Sequence, residues 1–375
     1  MKISMRALFG VSALAFMLTA TPVLAAEVKV SSDNTLTGAQ SDNDNKVTLN
    51  GNGDLNVDNI ATVNNNASEV TIDTGHNDQN KNTTGGDVMS GNVDVSADWN
   101  NVVNDGASLC GCTGGDNGWT VTADFSNNTT GYKSHNDNKL TINDNGDQTF
   151  TNVATILNSL SLDANTGHND QNKNTTGGNM TTGDISLAAM FSNEANSGSK
   201  GGDPSHGSSS VDVTASNKTT GAESDNNNIV KLNNDGDTHV TNVATLTNSV
   251  DLYANTGHND QNKNTKAGDL KTGNVGLSAN ITNVANNNDC ACAARGSTDV
   301  MVNASNDTTG YKSDNNNKVT VNDNHDVTVT NTATVDNTVS AEANTGHNDQ
   351  NMNTEAGSTS TGSVSLDLNI SNTVN

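Results

Sequence analysis

Aromatic side chains are nearly missing from this 375-residue chain, at 3%, and all hydrophobic residues together reach only 31%. With Gly counted and Tyr left out the share is about 39%, below the roughly 45–50% of compact domains, so a thick conventional core is not expected. Two Trp, three Tyr and five Phe are too few to build the aromatic girdles of a transmembrane β-barrel. Cations are scarce as well: 17 Lys and Arg stand against 42 Asp and Glu, a formal charge of −25. Affinity for phosphate backbones comes from clustered Lys and Arg. No such cluster exists, so nucleic acid is not an expected partner. Catalytic signatures are missing too. There is no phosphate-binding loop, no His-Glu-x-x-His helix and no Gly-x-Ser-x-Gly elbow.

What is present is Asn, about 67 residues of it, with Thr, Gly, Ser and Asp making up much of the rest. The first 25 residues read as a signal peptide. Lys2 and Arg6 form a positive start, Ala7 to Leu18 an apolar stretch, and Val23-Leu24-Ala25 a small-residue cleavage site. The mature chain is expected to begin at Ala26 and to be secreted or held at the cell surface. No later run approaches the ~20 apolar residues of a membrane-spanning helix.

Beyond the leader the chain repeats. Thr-Gly-His-Asn-Asp-Gln-Asn occurs four times, with its Gly at 75, 167, 257 and 346. A second string, Thr-Gly followed by Ser-Asp-Asn or Ser-His-Asn, recurs with its Gly at 38, 131, 221 and 310. Four units of about 90 residues result: 26–127, 128–217, 218–306 and a truncated 307–375. Within each, residues alternate strictly. Val240, Asn242, Ala244, Leu246, Asn248, Val250, Leu252 and Ala254 share one parity, and Ile185, Leu187, Ala189, Phe191 and Asn193 another run of it. This is the period of strands with one face buried.

Asn interrupts the inward parity at fixed places: Asn152 and Asn158, Asn242 and Asn248, Asn331 and Asn337. Burying an unpartnered amide costs a few kcal/mol, whereas identical amides stacked in a ladder satisfy one another. An elongated parallel β-solenoid of the four repeats is therefore the expected fold. Spacings of 36 and about 54 residues between the two strings divide into coils of about 18 residues, giving five coils per unit and a rod of roughly 90 Å at ~4.8 Å per coil. The competing architecture is a string of small antiparallel β-sandwiches. It rests on Asn52-Gly53, Asn145-Gly146 and Asp235-Gly236, dipeptides that favour hairpins.

The run Asn-Thr-Gly-His-Asn-Asp-Gln-Asn-Lys-Asn-Thr-Thr-Gly-Gly at 165–178, followed by Thr182-Gly183 and an alternating strand, resembles the Asn/Thr-rich tandem repeats of exported, largely uncharacterised proteins of candidate-phylum bacteria. It extends over all four units. The resemblance implies an exported repeat protein and brings no catalytic residues. The stacked Asn are also somewhat similar to curli subunits, without the Gln and aromatic spacing of curlin repeats.

Candidate sites follow from residue type. Asp42 and Asp44, Asp144 and Asp147, and Asp235 and Asp237 offer the hard oxygen ligands that Ca²⁺ accepts, although Asp is also an ordinary turn residue. His76, His168, His258 and His347, each two residues before an Asp, read first as a recurring corner and second as metal ligands. Cys110 and Cys112, and Cys290 and Cys292, are disulfide candidates in an exported protein; about ten intervening coils would forbid a bond between the two pairs. A row of Thr328, Thr330, Thr332 and Thr334, partly repeated at Thr241, Thr245 and Thr247, could face sugar or ice. Asn127, Asn217 and Asn306 head Asn-x-Thr sequons.

The sequence thus points to a non-enzymatic scaffold of the cell surface or extracellular matrix, structural or adhesive, with fibres as one form. Its expected partners are copies of itself or surface and matrix polymers. No cofactor is expected apart from Ca²⁺. A carbohydrate-, ice- or Ca²⁺-binding module is the alternative, and a polysaccharide-degrading β-helix the third.

Overall fold

The computed structural model describes residues 3–7, 27–35, 39, 41–50, 54–105, 120–144, 147–197, 209–287, 298–324 and 326–374. Among them there is no helix, and every strand pairing is parallel. The molecule is a parallel β-solenoid. Its first strand, β1 (Ile3–Ala7), lies beside Val93–Ala97. Four rungs of five strands follow. The first holds β2 (Glu27–Thr35), β3 (Asp42–Asn50), β4 (Leu55–Asp73), β5 (Val88–Met89) and β6 (Val93–Val103). The second holds β7 (Thr120–Asn128), β8 (His135–Asp144), β9 (Gln148–Asn165), β10 (Met180–Thr181) and β11 (Ile185–Ala195). The third holds β12 (Ser209–Lys218), β13 (Asp225–Asn234), β14 (Thr238–Asn255), β15 (Leu270–Lys271) and β16 (Val275–Ala285). The fourth holds β17 (Thr298–Asp307), β18 (Asp314–Asp323), β19 (Val327–Asn344), β20 (Thr359–Ser360) and β21 (Val364–Val374).

Each strand hydrogen-bonds to its equivalent in the next unit. Asn152 pairs with Asn242 and Asn242 with Asn331. One whole unit is therefore one rung, which corrects the 18-residue coil. Four rungs at ~4.8 Å rise only about 19 Å along the axis, while the 18-residue β9 runs about 60 Å across it at 3.3 Å per residue. A single chain is a broad slab and not a 90 Å rod. Counted by rung, the units begin at 27, 120, 209 and 298, and the fourth contains all five strands.

The sandwich alternative fails for the same reason. β8 and β9 do not form a hairpin. They turn at the corner and each bonds to other rungs, β8 to β3 and β13, and β9 to β4 and β14. Within a rung, strands meet through side chains alone. Val121, Ala123 and Phe125 of β7 face Leu140 and Ile142 of β8, and Leu160, Leu162 and Ala164 of β9 face Ile185, Leu187, Ala189 and Phe191 of β11. The core is two side chains thick, which is what the strict alternation can fill.

Amides complete that core. Asn59 donates to Asn152 at 2.7 Å, Asn152 to Asn242 at 2.7 Å and Asn242 to Asn331 at 2.7 Å. The column Asn65, Asn158, Asn248, Asn337 runs likewise at 2.9, 2.7 and 2.8 Å. It is zipped to a column on the facing strand, Asn101, Asn193, Asn283, Asn372, by bonds such as Asn158 to Asn193 at 3.0 Å and Asn193 to Asn248 at 3.0 Å. A second double ladder joins β7 and β8 through Asn127 and Asn138 and their equivalents. Asn127 and Asn217 are completely buried in it, so the sequons they head are closed to glycosylation in the folded chain.

Corners stack too. Asp170 bridges to Asp78 and Asp260 in parallel register. Gly167 approaches Gly257 so closely that a Cβ on it would lie 1.9 Å from the Gly257 carbonyl oxygen; only glycine permits that approach. The first unit is longer by one residue in β4, between Ala67 and Val70, where Glu69 takes φ 63 and lets the register recover.

Asn248 sits at the centre of this network, donating to Asn337 and Asn283 and accepting from Asn158 and Asn193. Asn248→Ala should cost about 2–4 kcal/mol in denaturant unfolding, since it strands several buried partners. Thr247→Ala on the outward side should stay within about 0.5 kcal/mol. Equal effects would refute the ladder as a stabilising element.

Candidate functional site

Stacking one unit on the next turns each polar residue into a column, and two columns form a groove. His76, His168, His258 and His347 occupy the same corner with φ 55, 56, 55 and 55. Their rings lie 5.0, 4.9 and 4.7 Å apart and within 6° of parallel. With Asp170, Asp260 and Asp349 they line an open groove of about 550 Å³. Parallel rings aim their nitrogen lone pairs in parallel, so adjacent imidazoles do not converge on one ion.

The Nδ1 atoms of His76, His168 and His258 are already engaged. His76 Nδ1 lies 2.9 Å from Asp73. Asn255 donates to Nδ1 of His168 at 3.1 Å and Asn344 to Nδ1 of His258 at 3.0 Å, bonds that a neutral ring with its proton on Nε2 accepts. Burial, and then the neighbouring His258 and His76, lower the pKa of His168 below the ordinary 6.5. Burial, and then Asp260 and Asp78, raise Asp170 above 3.8; burial and Asp349 raise Asp260 in the same way. Like charges at rung spacing repel, and the groove relieves this by favouring neutral forms.

The acidic candidates are scattered over several columns. Asp147 and Asp237 sit at the β8–β9 and β13–β14 corners. There Asp147 accepts the backbone N–H of Asp237 at 3.0 Å, and Asp237 that of Asp326 at 3.2 Å. Asp235 accepts from Asn324 at 3.1 Å. Asp144 ends β8 opposite Asn234. The carboxylates of Asp147, Asp235 and Asp237 thus brace the next rung.

Asp42 and Asp44 do meet a third group, His135 of the following rung, with ligand atoms all within 4.8 Å. His135 also contacts Asp225 at 3.1 Å and Asp137 at 3.2 Å, and Lys46 lies 2.6 Å from Asp44. An ammonium against one carboxylate and an imidazole in the set do not suit Ca²⁺, which takes six to eight oxygens. Lys46 already occupies one of the carboxylates. The signal of this patch in the sequence is the one unit that reads Ser-His-Asn where the three others read Ser-Asp-Asn, an imidazole placed in a column of acids.

On the outward face of β9 and β14, Thr155, Thr245 and Thr334 form one column and Thr151, Thr241 and Thr330 another. Val153 and Val243 run between them, so the face is not a flat Thr array. Cys110, Cys112, Cys290 and Cys292 lie outside the described residues, and the ten-coil separation reckoned between them falls with the 18-residue coil. Comparison of the chain with protein-family models, with curated proteins and with solved structures gives no match.

The groove predicts a specific pH response. His168 has its pKa depressed in the fold, so stability is lost as pH falls below about 6.5. Asp170 and Asp260 have theirs raised, so they favour the fold when protonated and oppose it as pH rises above 3.8. Asp260→Asn should therefore melt a few degrees above the parent at pH 7, a modest gain because solvent screens these groups. The gap should close as pH falls toward 4. A variant that melts lower at pH 7 would contradict the repulsive column.

Proposed function

We propose that the protein is an exported structural scaffold of the cell surface or extracellular matrix, acting through its regular architecture and not through turnover. The observation that carries this reading is repetition in space: the same backbone pairings and amide ladders pass through all four rungs. Catalysis draws on different groups converging in one pocket, whereas each group in the His–Asp groove recurs rung after rung. The apolar leader at 1–25 supports export. No helix among the described residues is long and apolar enough to cross a membrane. Adhesion would come from many weak contacts to surface polymers, multiplied along the regular faces.

Antibody added to intact cells should bind the protein, and a deletion strain should lose surface attachment or cohesion. Restoring the gene with His258→Ala and Asp260→Asn together should restore the phenotype. Confinement of the protein to the cytosol, or failure of that variant to restore attachment while folded, would overturn the scaffold reading.

A further inference from the structure

Among the described residues, both ends of the solenoid present strands with no further rung over most of their length. β17 to β21 terminate all five sheets on one side, and β2 to β5 terminate four of them on the other. Residues that are buried in the third rung are open in the fourth: Leu232, Leu277 and Ile281 are at most 3% exposed, while their equivalents Val321, Leu366 and Ile370 are 44%, 52% and 45% exposed. Among the described residues nothing covers them.

The two ends are complementary, column by column. In the buried Asn columns described above, each amide N–H donates toward the following rung. The fourth rung thus ends in donors at Asn331, Asn337 and Asn372, and the first begins with acceptors at Asn59, Asn65 and Asn101. Glycines state the same direction. A Cβ on Gly75, Gly167 or Gly257 would lie 1.9–2.0 Å from the carbonyl oxygen of the following rung, yet on Gly346 its nearest neighbour is a side-chain oxygen at 3.7 Å. In a second column the relation is reversed. Gly178, Gly268 and Gly357 press on the preceding rung at 2.4, 2.4 and 2.2 Å, while at Gly86 the nearest atom is at 3.5 Å. Gly346 and Gly86 carry a clearance that the single chain does not use.

We propose that copies of this chain stack head to tail in register, the fourth rung of one taking the place before the first rung of the next. Asn331 meets Asn59, Gly346 meets Gly75 and His347 meets His76. Such a contact is heterologous and does not close, so it propagates as a filament along the solenoid axis. β1 lies along Val93–Ala97, where the β21 of a preceding copy would run, so stacking displaces it or follows its removal. Each copy carries −25, and assembly accelerates as salt screens that repulsion. This deepens the scaffold reading and rests on it.

The test uses the purified full chain and the chain beginning at Ala26, its fold checked by circular dichroism, at low and high salt, with sedimentation, electron microscopy and fibre diffraction. Filaments with a meridional spacing of about 4.8 Å, growing faster at high salt, are expected. Gly346→Ala and Gly86→Ala should fold and melt as the parent does yet elongate about tenfold more slowly or not at all, a block worth at least ~1.4 kcal/mol. Each variant keeps one good end, so an equimolar mixture should give a discrete heterodimer that neither gives alone. Gly257→Ala, which collides inside the chain, should instead impair folding. Parent chains that stay monomeric at every salt concentration, or a Gly346→Ala chain that elongates at the parent rate, would overturn the stacking. A monomer that still coats cells would leave the scaffold reading in place.

Discussion

The constraint on which the structure depends is that like must sit on like at ~4.8 Å. Parallel in-register pairing gives every side chain of an interior rung two nearest neighbours of its own position. For Asn this is favourable, because an amide both donates and accepts, and a column of them satisfies every interior member without water. Asn152 and Asn242 are completely buried, and the neutral ladder makes that possible. Zipping two ladders together across the rung, as Asn158 and Asn193 do, makes the amides a polar seam as definite as the apolar one beside it.

The same constraint makes charge difficult, since a carboxylate column repels itself. The chain answers in three ways visible in its residues. Asp147 and Asp237 turn their oxygens to the backbone N–H of the next rung. Asp170 and Asp260 hold raised pKa values beside the imidazole stack. The column of Asp42 and Asp225 contains His135, which contacts Asp225 directly. Acidity that is unremarkable on a globular surface is here a property of each column, so placement matters more than the total.

Strand parity and the Asn ladder were legible in the sequence because both are local: alternation reports the pleat, and a buried amide demands a partner. The rung length was not read correctly, and the reason is physical. An 18-residue coil would have set Asn152 over Ser134 and Asp170, unlike residues that cannot form a ladder, whereas a step of 90 sets it over Asn242. Identity at the stacking distance, and not divisibility of spacings, was the usable signal. The Asp235-Gly236 corner after β13 reads as a hairpin for a related reason: dipeptides that tolerate positive φ mark where a chain turns, not which way its hydrogen bonds point. His135 was passed over because its meaning lies in a neighbouring unit.

The low apolar content follows from the same geometry. A globular core must fill a volume, but here two facing strands enclose a gap one side chain deep from each side, and the third dimension is filled by repetition. Half of each strand faces outward and needs no apolar residue, and part of the inward half is Asn. A hydrophobic share of 31% is then what a laddered double layer requires; among the described aromatics Trp99 and Phe191 stack within the core, 4.7 Å apart, while Tyr132 and Tyr311 lie exposed outside it. What would signal disorder in a chain without periodicity is, in one whose identical residues recur at the rung spacing, the composition of an ordered stack. Among the described residues the fourth rung has a neighbour on one side only, and its exposed Val, Leu and Ile occupy positions that are interior in the rung before it.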